Sequence, residues 1–357
     1  MKQNFKDTQK LTNVLKEAEK KGKLKIGFLG GSITQGCNPS LPENAYVERV
    51  TRWFKERFPK VEVEKINAGV GATGSLIGVH RVERDIIAHK PDLVFVEFAA
   101  NDVQGEGVDT SISYESLIRK LRLKLPEAAL VEIFMTLETR ESAQEEEMKI
   151  AEHYKIPYVS YHDEIFSKID AGEYTWEDIE TDEVHPNDRG HGIVADLIKD
   201  LMEAALKEEI DASYKEEVPE TTVFDVPYLE GHLIEMQDLQ ITYEKGFEKT
   251  EETYRTINTG CKAIEGADEH VLCCEVEGKN VFLLYTKGIE KDRATIQIKV
   301  NGQELAPLDT SFEGGWGNYP ETYPLLLGDT KTKVTIEITM NEADSNKKLN
   351  LLGFLVS

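Results

Sequence analysis

LKIGFLGGSITQG at residues 24–36 runs from an apolar segment into a glycine-rich turn. Its apolar first half is too short for a helix and has the composition of a buried strand, and it runs straight into Gly30, Gly31 and Ser32. Working outward, VEVEKINAG at 61–69, DLVFVEFAAN at 92–101, ALVEIFMT at 129–136 and IPYVSY at 156–161 read as further strands. The intervening segments 46–58, 76–89, 114–124 and 143–154 repeat apolar residues at helical spacing, and 187–208 closes the series with a helix-forming run. Strands and helices alternating in this way predict a parallel sheet covered on both faces, a three-layer α/β/α domain over residues 1–212. Ligands of open parallel sheets bind outside the carboxyl ends of the strands, which makes Ser32 the first candidate for chemistry.

After the charged stretch KEEIDASYKEEVPE at 207–220 the character changes. VFLLYTKG at 281–288, ATIQIKVNGQEL at 294–305, KVTIEITM at 333–340 and LNLLGFLVS at 349–357 alternate with period two. Asn301-Gly302 between two apolar runs is a hairpin signal, because both residues tolerate positive φ. Residues 213–357 are therefore expected to form an all-β sandwich or jelly roll.

The charge balance excludes several classes of function. With 66 acidic and 42 basic residues the formal charge is -24, which repels phosphate backbones and anionic lipid, so no nucleic-acid or membrane partner is expected. No apolar run approaches the ~18 residues of a spanning helix. The N-terminal MKQNFKDTQKLTNVLKEAEKKGKLK is charged and amphipathic, unlike a secretory leader. Four cysteines without framework or metal-ligand spacing suit reduced thiols, and a cytoplasmic location is expected. A homo-oligomer is compatible with all of this.

Four segments carry candidate chemistry. In GGSITQG, Ser32 suits a nucleophile, although the same glycines also suit a turn that cradles an anion. In TDEVHPNDRGHG, Asp182 and His185 lie three apart on one loop before a helix. A serine hydroxyl needs an imidazole to take its proton, and the imidazole needs a carboxylate to fix its tautomer; Asp-x-x-His supplies both, while a histidine before proline also serves simply as a surface or capping residue. His191 reads as a helix-surface residue. NAGVGATGS at 67–75 and FVEFAAND at 95–102 place the amides of Gly71 or Ala72, and the Asn101 side chain, at the same sheet edge. Such donors stabilise an oxyanion, or alternatively only shape a turn and cap a helix.

In that order, Gly-x-Ser, an Asn-x-Gly-rich turn, Asn-Asp and Asp-x-x-His-Pro resemble the four blocks of the GDSL/SGNH hydrolases, across about residues 23–208. The resemblance implies a Ser32, Asp182, His185 triad, with an oxyanion hole of Ser32 N, Ala72 N and the Asn101 side chain. Three positions depart from the family pattern. Gly31 replaces an Asp, Ala72 stands where Gly is usual, and Ala99 replaces a Gly. If position 72 needs positive φ, Gly71 becomes the better donor.

An esterase followed by a β domain is similar to intracellular enzymes that deacetylate mannan oligosaccharides, which implies an acetylated oligosaccharide as substrate. FEGGWGNYPETYP at 312–324 fits that expectation, with Trp316 and Tyr319 able to stack on sugar faces and glycines able to close a lid. Trp316 packed in the sandwich core is the other reading. The competing functions are a short-chain lipase or thioesterase and a non-catalytic carbohydrate-binding protein. No cofactor and no metal are expected, since the eight histidines are dispersed and form neither H-x-x-x-H nor H-E-x-x-H.

Overall fold

The computed structural model describes residues 5–103, 108–215, 217–250, 252, 254–289, 291–314 and 317–357. Strand β1 (Lys23–Gly30) pairs in parallel with β2 (Glu62–Gly69) on one side and β3 (Leu93–Glu97) on the other, and β4 (Ala129–Phe134) and β5 (Tyr158–Ser160) extend the sheet. The order is β2-β1-β3-β4-β5, so the chain reverses direction across the sheet at β1. The crevice beyond the carboxyl ends of β1 and β3 is the topological switch point, where such sheets bind ligands.

Nine helices connect the strands among the described residues: α1 (Gln9–Lys21), α2 (Ser32–Gln35), α3 (Tyr46–Arg57), α4 (Ser75–Asp85), α5 (Ala99–Asp102), α6 (Thr110–Lys124), α7 (Gln144–His153), α8 (Tyr161–Asp170) and α9 (Asp188–Lys207). Leu11, Leu15 and Ala18 of α1 lie on one stripe and join α3, α8 and α9 in a core with Phe28, Phe95 and Val131 of the sheet. Helix α4 lies against β1 and packs on α6, which packs on α7. Gly69 ends β2 where a side chain has no room, since a Cβ there would come 2.2 Å from Gln35 N. That contact lets the short helix α2 lie directly on the sheet edge.

Several elements differ from the sequence reading: the helix read from 114 starts at Thr110, the fifth strand is only Tyr158–Ser160, and the helix Tyr161–Asp170 after it was not anticipated. The third strand ends at Glu97 instead of running to Asn101, because Ala99–Asp102 turns into α5. The fourth helix stops at Asp85 and a 3-10 turn, Ile87–His89, follows.

The chain divides into two compact units, Met1–Leu229 and Glu230–Ser357. The division falls downstream of the expected residue 212 because the segment after α9 is tied to the first unit. Glu115 accepts from Val223 N and Phe224 N, Arg119 Nη1 donates to Pro219 O, and His80 meets the Tyr228 ring.

Among the described residues the second unit is one antiparallel sheet of ten strands, a jelly-roll-like architecture built around two long strands, Val271–Lys287 and Tyr319–Met340. Leu272, Cys274 and Val276 enter the core on even positions, and Val281, Leu283 and Tyr285 enter the same core on odd ones. The register shift between Gly278 and Asn280 accounts for the change of phase, since an extra residue turns every following side chain to the other face. Asn301 and Gly302, at φ +50 and +78, form the expected two-residue turn between Thr295–Val300 and Gln303–Glu304.

Candidate active site

Ser32 opens α2 immediately after β1, and Gly36 ends that turn in the left-handed region. Ser32 as a residue is only 8% exposed. Asp182 and His185 come from the loop between α8 and α9, which closes on itself: Thr181 N donates to His185 O at 2.8 Å and Asn187 N to Ile179 O at 3.0 Å. Asn187 then caps α9, its Oδ1 accepting from Arg189 N and Gly190 N, a contact worth about 1 kcal/mol. Trp176 Nε1 donates to Asp182 O at 2.8 Å and anchors the loop from below.

This loop brings the three expected residues together. His185 Nε2 lies 2.8 Å from Ser32 Oγ, and His185 Nδ1 lies 2.8 Å from Asp182 Oδ2 and 3.0 Å from Oδ1. Asp182 Oδ1 also accepts from Val184 N and His185 N, each at 2.8 Å. Partial burial pushes this carboxyl up, but the hydrogen bonds from Val184 N, the His185 ring and His185 N outweigh it and hold Asp182 below its ordinary value. The imidazole thus faces an ionised carboxylate on one side and a hydroxyl on the other.

The loop after β2 runs beside this hydroxyl, since a Cβ on Gly71 would sit 3.9 Å from Ser32 Cβ. Ala72 does adopt positive φ, +56. Gly71 N, however, donates to Gln35 Oε1 at 2.7 Å, whereas Ala72 N has no partner among the described residues. Of the two amides, that of Ala72 is thus the one not already engaged, in spite of its strained backbone. Asn101, in α5 after β3, packs against Gly31: a Cβ on Gly31 would come 2.2 Å from Asn101 Oδ1. Glycine at 31 thus makes the room that Asn101 occupies next to the serine.

Residues 28–193 match the GDSL-like lipase/acylhydrolase family. Crystal structures of a two-domain esterase (CEX) active on acetylated mannans match over the whole chain. The first has 27% identity, covers 100% of this chain and 99% of that one, and has a TM-score of 0.90. The second, co-crystallised with mannopentaose, has 27% identity, covers 100% and 98%, and has a TM-score of 0.88. The chain belongs to the GDSL/SGNH hydrolases. No curated protein sequence matches it.

As a GDSL/SGNH hydrolase the protein is a serine hydrolase. Its remaining expected residues fall differently. Trp316 lies outside the described residues, as does Gly315. Tyr319 opens the long strand Tyr319–Met340 and meets Phe312 edge-on at 5.1 Å. His191 is not a surface residue: it is fully buried, with Nδ1 accepting from Tyr46 N at 3.2 Å and Nε2 donating to Cys37 O at 3.1 Å. Burial holds this imidazole down at about 4, so it is neutral at working pH. Among the described residues no group of three or more His, Cys, Asp or Glu is arranged to hold a metal, and no helix is long and apolar enough to cross a membrane.

Sequence reasoning passed over two parts of this GDSL/SGNH site. One is Asn38, whose amide reaches Asp182 Oδ2 at 3.0 Å. Its signal was an Asn just after a glycine-ended turn, a residue type that tolerates left-handed backbone. The other is a nest of buried carboxyls beneath the same sheet edge: Glu97, Asp102, Glu132 and Glu147. Burial raises Glu97 and Glu132 to about 8 and Asp102 to about 7, and burial together with the charges of Asp102, Glu132 and Glu97 raises Glu147. Glu97 Oε2 accepts from Thr34 Oγ1 at 2.8 Å, which links this nest to the helix carrying Ser32.

Proposed function

We propose that this protein removes acetyl groups from acetylated oligosaccharides, with Ser32 as nucleophile, His185 as general base and acid, and Asp182 as the group that orients the imidazole. The observation that carries the reading is the unbroken chain from Ser32 Oγ through His185 to Asp182, each link 2.8 Å. Ser32 Oγ attacks the acetyl carbonyl carbon while its proton passes to His185 Nε2, and Asp182 stabilises the imidazolium that forms. The carbonyl oxygen becomes an oxyanion, for which Ser32 N, Ala72 N and the Asn101 amide are the proposed donors. Collapse expels the sugar hydroxyl, protonated by His185, and leaves an acetyl-serine. Water, deprotonated by the same imidazole, then releases acetate.

Full-length similarity to an esterase active on acetylated mannans supports the choice of sugar acetates over long-chain lipids. Tyr319 and Trp316 are the proposed sugar contacts, as aromatic faces suited to stacking on pyranose rings. The test is acetate release from a panel of acetylated oligosaccharides, with Ser32→Ala as control. The wild-type chain is expected to release acetate, and Ser32→Ala to lose about 10⁵- to 10⁶-fold in kcat. Preference for long-chain esters would overturn the carbohydrate reading, and sugar binding without hydrolysis would overturn the enzymatic one.

A further inference from the structure

The loop that follows α2 is pinned on both sides and presents one side chain to the triad. Cys37 O accepts from the buried His191 Nε2 at 3.1 Å, and Tyr46 N, donating to His191 Nδ1, fixes the ring proton on the nitrogen that faces Cys37. Farther along, Ser40 N and Ser40 Oγ donate to Asp188 at 2.7 and 2.5 Å, and Asn44 Nδ2 donates to it at 2.9 Å. Between these anchors Asn38 sits in left-handed backbone, φ +69. Its Nδ2 donates to Asp182 Oδ2 at 3.0 Å and to Thr181 Oγ1 at 2.7 Å.

We propose that Asn38 is a positioning residue for Asp182, an inference that rests on the Ser32, His185 and Asp182 roles given above. Both backbone donors, Val184 N and His185 N, bind Oδ1. Oδ2 faces the His185 ring, and Asn38 is its second donor. A carboxylate held at one oxygen only turns about its Cβ–Cγ bond and carries the imidazole with it. Held at both oxygens, it keeps His185 Nε2 aimed at Ser32. Because Asn38 reaches the reaction through Asp182, its contribution belongs to kcat.

Asn38→Gly isolates the amide, since glycine adopts φ +69 without strain and the loop keeps its path. Its kcat on an acetyl ester is expected to fall about ten-fold, the scale of a hydrogen bond to an ionised group, with KM held within about two-fold. Asn38→Asp keeps the shape but sets a second carboxylate against Asp182, and is expected to fall further. In an Asp182→Ala background Asn38→Gly should have no added effect, because the group through which it acts is gone. Wild-type kcat in Asn38→Gly, or losses that simply add in the double variant, would overturn the proposal. Ser32→Ala measured alongside separates the two failures. If it still turns over, the triad reading falls and takes the Asn38 role with it; if it is dead while Asn38→Gly is normal, only the positioning role falls.

Discussion

The loop at 179–187 and the nest of carboxyls beneath β3 and β4 both place acidic residues at the carboxyl edge of one sheet, yet they hold them in opposite states. Asp182 is partly exposed and receives Val184 N, His185 N, the His185 ring and Asn38, so it is held below the ordinary carboxylate range. Glu132 is fully buried, and neither of its oxygens accepts a hydrogen bond from the described residues. Burial pushes it up to about 8, and the nearby Tyr114 hydroxyl, outside hydrogen-bonding geometry, offsets only part of the penalty. The carboxyl supplied with donors is kept as an anion that can stabilise an imidazolium; the one without them is kept as a neutral acid. Burial and the supply of donors together set the two states: Glu132 is fully buried without donors, and Asp182 is partly exposed with several.

Exchanging each carboxyl for its amide sharpens this contrast. Asp182→Asn is expected to have the largest effect, a loss of about 10⁴-fold in kcat, because an amide neither stabilises the imidazolium nor selects the correct tautomer. Steady-state kinetics on an acetyl ester measures it, and a loss below about ten-fold would mean that the charge of Asp182 is immaterial. Glu132→Gln is expected to leave kcat near the wild-type value and to act on stability instead. Glu132 holds its proton more tightly in the folded state than in the unfolded one. Its contribution is therefore intact below the unfolded carboxyl range and is lost as pH rises through about 8. The slope this adds is at most about 1.4 kcal/mol per pH unit for one proton. The Tm of Glu132→Gln should accordingly fall less between pH 5 and pH 8.5, roughly the interval that slope spans, than that of the wild type. Parallel Tm profiles would show that Glu132 is ionised in the folded protein.

The convergence of Ser32, His185 and Asp182 was legible in the sequence because they lie on two short local segments, a strand end and a loop, whose chemistry can be named without knowing the fold. The parallel sheet was legible for the same reason, its strands being continuous apolar runs. His191 was misread although the signal was present. It shares a helical stripe with the buried Val194, Ala195 and Ile198, and that spacing outweighs its polarity. The first half of the strand Val271–Lys287 was passed over because its alternation changes phase near Gly278, so no single period covers it. The end of the first unit was misplaced because residues 219–224 form no regular element and are held by Glu115 and Arg119 from elsewhere in the chain. The carboxyl nest was hidden because a Glu in ALVEIF looks no different from a solvated one until the helices cover it.

The most direct test of the central claim is mapping the adduct formed with a fluorophosphonate, a reagent that needs an activated serine oxygen. With Ser32 as the nucleophile, one adduct per chain is expected, on Ser32, formed in step with loss of esterase activity and absent from His185→Ala. Inactivation with the label on another residue, or hydrolysis persisting in a chain fully labelled at Ser32, would contradict it.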